Sequence, residues 1–240
     1  MTDDSEHGPA IGDWDRRAVL RVAGYAAVAS GAPSLAAARP TSDIISLSAV
    51  DLSAAIHTRK LSCVELMTAC LDRIEAVNPA VNAVVALQDR GGLLRQAGER
   101  DAMLSRGQSM GPLHGFPHAV KDLQPVKGLP HSEGSTIFRN RVAESDGMMV
   151  GRLRNAGVIF IGKTNTPEFG LGSHTFNAVY GTTRNAWNQR YSAGGSSGGA
   201  AVALALRMVP LADGSDYGGS LRNPAGWNNV CGFRPSSGRV

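Results

Sequence analysis

A run of four apolar residues, Val158 to Ile161, limits the possible folds of this chain more than any other feature. All four are β-branched or aromatic, and such a continuous run is typical of a strand that is buried on both faces. The residues just before it, 148–155, have the pattern of a helix that ends at Gly157. A buried strand that directly follows a helix predicts an α/β fold, in which helices cover a central sheet.

The remainder of the chain repeats this alternation. Ser48 and Ser62 each begin a capping-box pattern, which marks the start of a helix. The second of these helices is expected to stop at Asn78-Pro79, because the residue before a proline disfavours helical geometry. The predicted helices are 48–57, 62–77, 88–106 and 200–207, and the other predicted strands are 81–87, 118–120 and 209–211. This order of elements supports the α/β layer fold.

The composition excludes several classes of protein. Apolar residues make up 42% of the 240 residues and charged residues 18%, which is enough to bury a core and argues against a disordered chain. Aromatic residues are scarce at 5%, and the scattered basic residues give a net charge of only +4, so no nucleic-acid-binding surface is indicated. The three cysteines form neither a disulfide framework nor a zinc pattern, and no metal or cofactor is expected.

Residues 1–38 have the features of an export signal. Arg16-Arg17 precedes a short Ala-rich apolar stretch, and Ala36 to Ala38 then supply a small-residue cleavage site. The paired arginines indicate the twin-arginine route, which places the mature protein outside the cytoplasm. The apolar stretch is too short to span a membrane, so no membrane partner is expected. An ordinary N-terminal helix or a disordered leader, with a cytoplasmic protein, is the alternative.

One motif match is misleading. Residues 157–164 satisfy the phosphate-loop pattern G-x-x-x-x-G-K-S/T letter for letter. Its four middle residues are the predicted buried strand, whose N–H groups are used in the sheet ladder and are not available to wrap a phosphate. Asn165-Thr166-Pro167 also prevents the helix that a phosphate loop requires. Nucleotide binding is therefore not predicted.

The loop Gly194-Gly195-Ser196-Ser197-Gly198-Gly199 allows two interpretations from the residues alone. It fits the nucleophile-elbow pattern G-x-S-x-G at both serines, but that triad needs a histidine after the serine, and the last histidine is His174. A flexible Gly/Ser linker is the other interpretation. The strongly apolar segment that follows the loop argues against a linker.

A second glycine turn, residues 213–225, places Ser220 directly after Gly218 and Gly219. Backbone N–H groups in such a turn can converge on a carbonyl oxygen while the serine attacks the carbonyl carbon. Asp216 and Arg222 flank the turn with opposite charges. A serine nucleophile needs a base, and both His118 and Lys121 qualify, the lysine because burial would lower its pKa.

Taken together, these segments resemble the amidase signature family. The resemblance runs from about Ser46 to the last residue and is carried by residues 115–122, 162–170, 194–199 and 214–225, followed by 232–235 and 238–240. It implies a Ser–cis-Ser–Lys triad, with Ser220 as the nucleophile, Ser196 as the relay serine after a cis peptide bond, and Lys121 as the base. The implied oxyanion hole is the backbone of Tyr217, Gly218, Gly219 and Ser220, and the implied supporting residues are Gly195, Ser197, Asp216 and Arg222.

The resemblance also implies a fold and a function. The expected fold is an α/β/α sandwich around a mixed β-sheet, of which this sequence would hold only the N-terminal half, in residues 39–240. The expected activity is hydrolysis of a small carboxylic acid amide through an acyl-enzyme, without a cofactor. The alternatives are an amidotransferase A-type subunit that acts on misacylated tRNA and a catalytically silent fragment. The sequence does not indicate an oligomeric state.

Overall fold

The computed structural model describes residues 41–239, so the predicted export signal at residues 1–38 lies outside the described residues. Seven α-helices occur in this part of the chain: α1 (Thr41–Ile44), α2 (Ala49–His57), α3 (Cys63–Val81), α4 (Arg90–Ser105), α5 (Met148–Asn155), α6 (Gly198–Ala205) and α7 (Arg222–Asn228). The same part holds five β-strands: β1 (Val84–Val85), β2 (Pro117–Lys121), β3 (Ile159–Thr164), β4 (Phe176–Asn177) and β5 (Gly181–Thr182).

The central sheet is mixed and has three strands in the order β1-β3-β2. β3 is its middle strand, pairing antiparallel with β1 and parallel with β2. In the parallel pair, Lys121 lies opposite Thr164, so both strands end at the same edge of the sheet. β4 and β5 form a separate antiparallel hairpin. The predicted α/β fold with a mixed sheet is confirmed.

Apolar side chains of the sheet contribute to two clusters. In the larger cluster, Ile159 and Ile161 of β3 pack with residues of α2, α3, α4 and α6. In the smaller cluster, Val120 of β2 and Phe160 of β3 pack with Val150 of α5. Because side chains alternate along a strand, successive residues of β3 serve the two clusters on opposite faces. The run at 158–161 is apolar throughout for this reason.

Local signals explain where α3 begins and ends. Ser62 caps α3 through a complete capping box, in which its side chain accepts from the N–H of Glu65 and the Glu65 carboxylate accepts from the N–H of Ser62. The prediction that α3 stops at Asn78-Pro79 is wrong, because the helix continues to Val81. Asn82 ends the helix in a left-handed conformation, with its N–H bonded to the carbonyl of Asn78.

Strand predictions were less accurate. β1 covers only two residues of the predicted 81–87, because α3 extends to Val81 and Ala86 turns out of the extended region at φ 48°. The prediction of a strand at 209–211 is wrong: Val209 is buried in the larger cluster, but no described strand pairs with this segment. The hairpin β4–β5 and helix α7 were not predicted. Among the described residues, no helix combines the length and apolar character needed to cross a membrane.

Candidate active site

Lys121 is the last residue of β2 and is almost fully buried, with 1% of its surface exposed. Its Nζ lies 2.7 Å from Ser196 Oγ, 2.8 Å from Ser197 Oγ and 2.8 Å from Ser215 Oγ. Burial lowers the pKa of Lys121 to about 8, because a desolvated ammonium is disfavoured relative to the neutral amine. The site therefore holds an amine that loses its proton at about pH 8 instead of 10.5.

The loop 194–199 brings two of these hydroxyls to the amine. The peptide bond between Gly195 and Ser196 is cis. A Cβ on Gly195 would lie 2.8 Å from the backbone N of His174, so only glycine fits there. The Ser196 and Ser197 side chains are buried, and Ser197 directly precedes α6. The predicted loop and helix are thus joined without a linker, although α6 begins at Gly198 rather than at residue 200.

The turn after this helix is organised by the carboxylate of Asp216. It accepts from the backbone N–H of Gly219 at 2.8 Å and of Arg222 at 3.1 Å, and the Arg222 guanidinium donates to both oxygens at 2.9 and 3.0 Å. The Arg222 guanidinium and these backbone donors hold the pKa of Asp216 well below its ordinary range. Asp216 and Arg222 therefore fix the shape of the turn, as their flanking charges suggested.

The backbone amides of this turn are not equivalent. The N–H of Gly219 is occupied by Asp216, so the prediction that all four amides face a substrate oxygen does not hold at this position. Gly219 has φ 121°, and a Cβ there would lie 2.7 Å from the side chain of Asn223. Within residues 41–239, the N–H groups of Tyr217, Gly218 and Ser220 have no hydrogen-bond acceptor. Tyr217 and Gly218 are exposed.

Ser220 is partly buried, and its main chain is joined to the loop that carries the other serines. The carbonyl of Ser220 accepts from the N–H of Ser197 at 2.9 Å. Its hydroxyl makes no hydrogen bond to any described residue. Lys121 and Ser196 are therefore in direct contact, and the Ser220 backbone is bonded to Ser197. No hydrogen bond joins the hydroxyls of Ser196 and Ser220.

Sequence reasoning missed two residues at this site. Ser215 supplies the third hydroxyl at the Lys121 amine. Asp213 accepts from the backbone N–H of Lys121 at 3.1 Å and lies 3.1 Å from Nε2 of His118. His118, considered above as a base, makes no hydrogen bond to a serine among the described residues. Both missed residues lie in the turn segment 213–225, and their polar character just before Asp216 was the only signal available.

The phosphate-loop match is part of the sheet. The strand predicted at 158–161 is β3, which runs from Ile159 to Thr164 and so includes Lys163. Lys163 is fully buried, and its Nζ lies 2.5 Å from the carbonyl oxygen of Gln124. Its Nζ also lies 3.7 Å from the buried carboxylate of Asp122. Lys163 thus ties β3 to the segment that follows β2. No cluster of three or more potential metal-ligating side chains occurs in the described part of the chain.

Comparison with known proteins gives a consistent picture. The Amidase family model matches residues 65–240. The chain is 44% identical to the A-type subunit of a glutamyl-tRNA(Gln) amidotransferase from Acidothermus cellulolyticus, over 83% of this chain and 39% of that protein. It is also 44% identical to an acylamidase from Rhodococcus erythropolis, over 81% of this chain and 40% of that protein. The chain thus spans about 40% of the length of these curated relatives.

Solved structures give the same result. A bacterial aryl acylamidase of the amidase signature family superposes with a TM-score of 0.75 at 34% identity, covering 81% of this chain and 40% of that one. Fatty acid amide hydrolase superposes with a TM-score of 0.73 at 31% identity, covering 77% of this chain and 32% of that one. The family model matches well over half of the chain, and the fold agrees with it. The chain therefore belongs to the amidase signature family.

Proposed function

We propose that this protein hydrolyses a carboxylic acid amide to an acid and ammonia or an amine, with Ser220 as nucleophile, Ser196 as relay and Lys121 as base. The observation that carries the proposal is the buried Lys121 amine, 2.7 Å from Ser196 Oγ. The acylamidase and aryl acylamidase relatives support a substrate of this class. The proposed reaction needs no cofactor, because the nucleophile, the relay and the base are all side chains of this protein.

The protonation state of Lys121 determines what the three hydroxyls around it can do. An ammonium has three N–H donors and can donate to all three serines. A neutral amine has two N–H donors and one lone pair, so one hydroxyl must then donate to it. With a pKa of about 8, roughly a tenth of the molecules hold the neutral amine at pH 7. In this proposal, Ser196 is the hydroxyl that donates.

The reaction then follows from this arrangement. Ser196 passes its proton to Lys121 and takes the proton of Ser220, whose oxygen attacks the amide carbon. The negative charge on the carbonyl oxygen is met by the unoccupied N–H groups of the turn at 217–220, and one such donor is worth about 3 kcal/mol in comparable sites. The C–N bond breaks as Lys121 returns the proton through Ser196 to the leaving amine. Water hydrolyses the resulting acyl-enzyme on Ser220.

The test is release of ammonia from a panel of amides by the intact protein. Ser220→Ala is expected to abolish turnover, while Ser105→Ala, at the exposed end of α4, is expected to leave it unchanged. Lys121→Ala should be nearly inactive, whereas His118→Ala should lose far less of the activity. Turnover retained by Ser220→Ala would refute the nucleophile, and the reverse order of the Lys121 and His118 variants would make histidine the base.

A second candidate is an amidotransferase A-type subunit. It is favoured by the 44% identity to the glutamyl-tRNA(Gln) amidotransferase protein, which equals the identity to the acylamidase. Such a subunit would act on a misacylated tRNA and would depend on partner subunits. Ammonia release from glutamine that depends on added tRNA and partner subunits would support this candidate. Efficient hydrolysis of simple amides by the protein alone would support the hydrolase.

We also propose that residues 1–38 direct export by the twin-arginine route. The support is the order of Arg16-Arg17, the apolar stretch and Ala36 to Ala38 in the sequence. Fusion of these residues to a reporter is expected to export it, and replacement of both arginines by lysine should prevent this. A reporter that stays in the cytosol with the native arginines would refute the proposal.

A further inference from the structure

Asp213 connects two residues of β2 through one carboxylate. Its Oδ1 lies 3.1 Å from the backbone N of Lys121, and its Oδ2 lies 3.3 Å from the same atom. Its Oδ1 also lies 3.1 Å from Nε2 of His118, three residues earlier in the strand. The side chains of His118 and Asp213 are only 5% and 9% exposed. The carboxylate therefore fixes the backbone position from which the Lys121 side chain extends.

The geometry also determines which atom of His118 carries a proton. An ionised carboxylate only accepts hydrogen bonds, so Nε2 of His118 must donate to Asp213. The ring packs edge-on against Phe160, with the ring centres 6.2 Å apart, which holds the imidazole in place. His118 is therefore not free to accept a proton at Nε2. Its contacts orient Asp213 instead.

We propose that Asp213, oriented by His118, is a positioning residue for Lys121 and that its negative charge favours the protonated form of the Lys121 amine. This inference rests on the proposed role of Lys121 as the base. It assigns a function to a histidine and an aspartate that the proposed triad does not use. In this proposal Asp213 acts on Lys121 through the hydrogen bond to its backbone N–H and through charge, and His118 acts by orienting Asp213. Neither residue needs to contact the substrate.

The charges around Lys121 support this role. Burial lowers its pKa, and the carboxylates of Asp213 and Asp216 oppose that decrease. The charge of Asp216 is paired with the Arg222 guanidinium, whereas among residues 41–239 the Asp213 carboxylate hydrogen-bonds only to His118 and to the backbone N–H of Lys121. The charges of Asp122 and Asp213 also act on the buried Lys163, where they oppose the decrease in its pKa caused by burial. Asp213 is thus the carboxylate whose charge most directly keeps Lys121 protonated.

The replacement Asp213→Asn separates charge from geometry. Asparagine keeps a carbonyl oxygen that can accept from the Lys121 N–H, but it removes the negative charge. The pKa of the Lys121 amine should then fall below its value of about 8 in the unmodified protein. Glu99→Gln, on the exposed side of α4, removes one negative charge without touching the site and serves as the matched control.

A titration can measure this without any substrate. The sequence contains four lysines, Lys60, Lys121, Lys127 and Lys163, so NMR of the intact protein with ¹³Cε-labelled lysine gives few signals, each assigned by a Lys→Arg variant. The Lys121 signal is expected to titrate at lower pH in Asp213→Asn and to be unchanged in Glu99→Gln. A Lys121 titration that is the same in Asp213→Asn and the unmodified protein would overturn the inference.

The His118 variants test positioning. Glutamine can present an N–H close to the place of Nε2, whereas leucine cannot, so His118→Leu should lower kcat by about tenfold and His118→Gln should restore most of that loss. In Asp213→Asn the acidic limb of kcat/KM should move to lower pH together with the NMR titration. Equal activity of His118→Leu and His118→Gln would overturn the positioning role. Failure of the unmodified protein to hydrolyse any amide would instead refute the proposed function, and the NMR titration would still decide the effect of Asp213.

Discussion

Replacement of Lys121 by methionine should change how the stability of the protein depends on pH. The unfolded chain binds a proton on this lysine up to its ordinary pKa of 10.5, whereas the buried amine of the folded protein loses it at about 8. Between these values the unfolded state carries more protons, so the free energy of unfolding rises with pH. Below pH 8 both states are mostly protonated, and the full cost of burying the ammonium remains.

The size of the effect follows from these two pKa values. At 1.36 kcal/mol per pH unit, the Lys121 contribution to the free energy of unfolding should increase by about 2.5 kcal/mol between pH 7 and pH 10. Methionine has a similar length and no charge, so the variant should lack this increase. The exposed Lys60 has its charge in water in both states, and Lys60→Met should therefore behave like the unmodified protein.

Urea unfolding at pH 7, 8, 9 and 10 measures the difference. Other titrating groups change the stability of all three proteins alike, so the relevant quantity is the difference between the curve of Lys121→Met and the curve of the unmodified protein. Between pH 7 and pH 10 the free energy of unfolding of the unmodified protein should rise by about 2.5 kcal/mol relative to that of Lys121→Met. Curves that stay parallel from pH 7 to pH 10 would show that Lys121 keeps an ordinary pKa, and the argument from burial would be wrong.

Three further predictions concern the framework of the site. A Cβ on Gly199, within α6, would lie 2.7 Å from the backbone oxygen of Asn165, so Gly199→Ala should lower the free energy of unfolding by more than about 2 kcal/mol. A Cβ on Gly151 in α5 would meet no atom within 4 Å, so Gly151→Ala should raise the stability slightly. Thermal unfolding measures both. Ser62→Ala removes the capping box of α3 and should cost about 1 kcal/mol in urea unfolding. Arg222→Ala should raise the pKa of Asp216. The stability that the ionised Asp216 contributes is lost as the pH falls through that pKa, so the variant should unfold at a higher pH than the unmodified protein. Acid titration followed by circular dichroism measures this.

The elements that could be predicted from the sequence are those with local causes. The run at 158–161 gave a buried strand because its apolar character reflects burial on both faces, and Ser62 gave a helix start because the capping box lies within four residues. The end of α3 was missed because a proline in the last turn removes only one hydrogen bond, which the cap at Asn82 outweighs. The segment 209–211 was misjudged because apolar residues can pack without a partner strand.

The candidate site depended on contacts between distant segments. The motif resemblance indicated Lys121 and Ser196, which are in contact although 75 residues apart. Asp213 was missed because its partners, Lys121 and His118, lie 92 and 95 residues away, and no local pattern encodes that proximity. The assignment of the Gly219 amide to the oxyanion hole failed for a similar reason, since its acceptor, Asp216, could be recognised only from the folded turn.

The proposed mechanism requires an acyl-enzyme on Ser220, and this intermediate can be observed. The intact protein can be quenched with acid during turnover of an amide, digested, and analysed by peptide mass spectrometry. We expect an added acyl group on Ser220, which should be absent from Ser220→Ala and much reduced in Lys121→Ala. An acyl group on Ser196 or Ser197 instead would contradict the assignment of Ser220 as the nucleophile. Steady ammonia release by a protein in which Ser220 stays unmodified and another residue carries the adduct would contradict it as well.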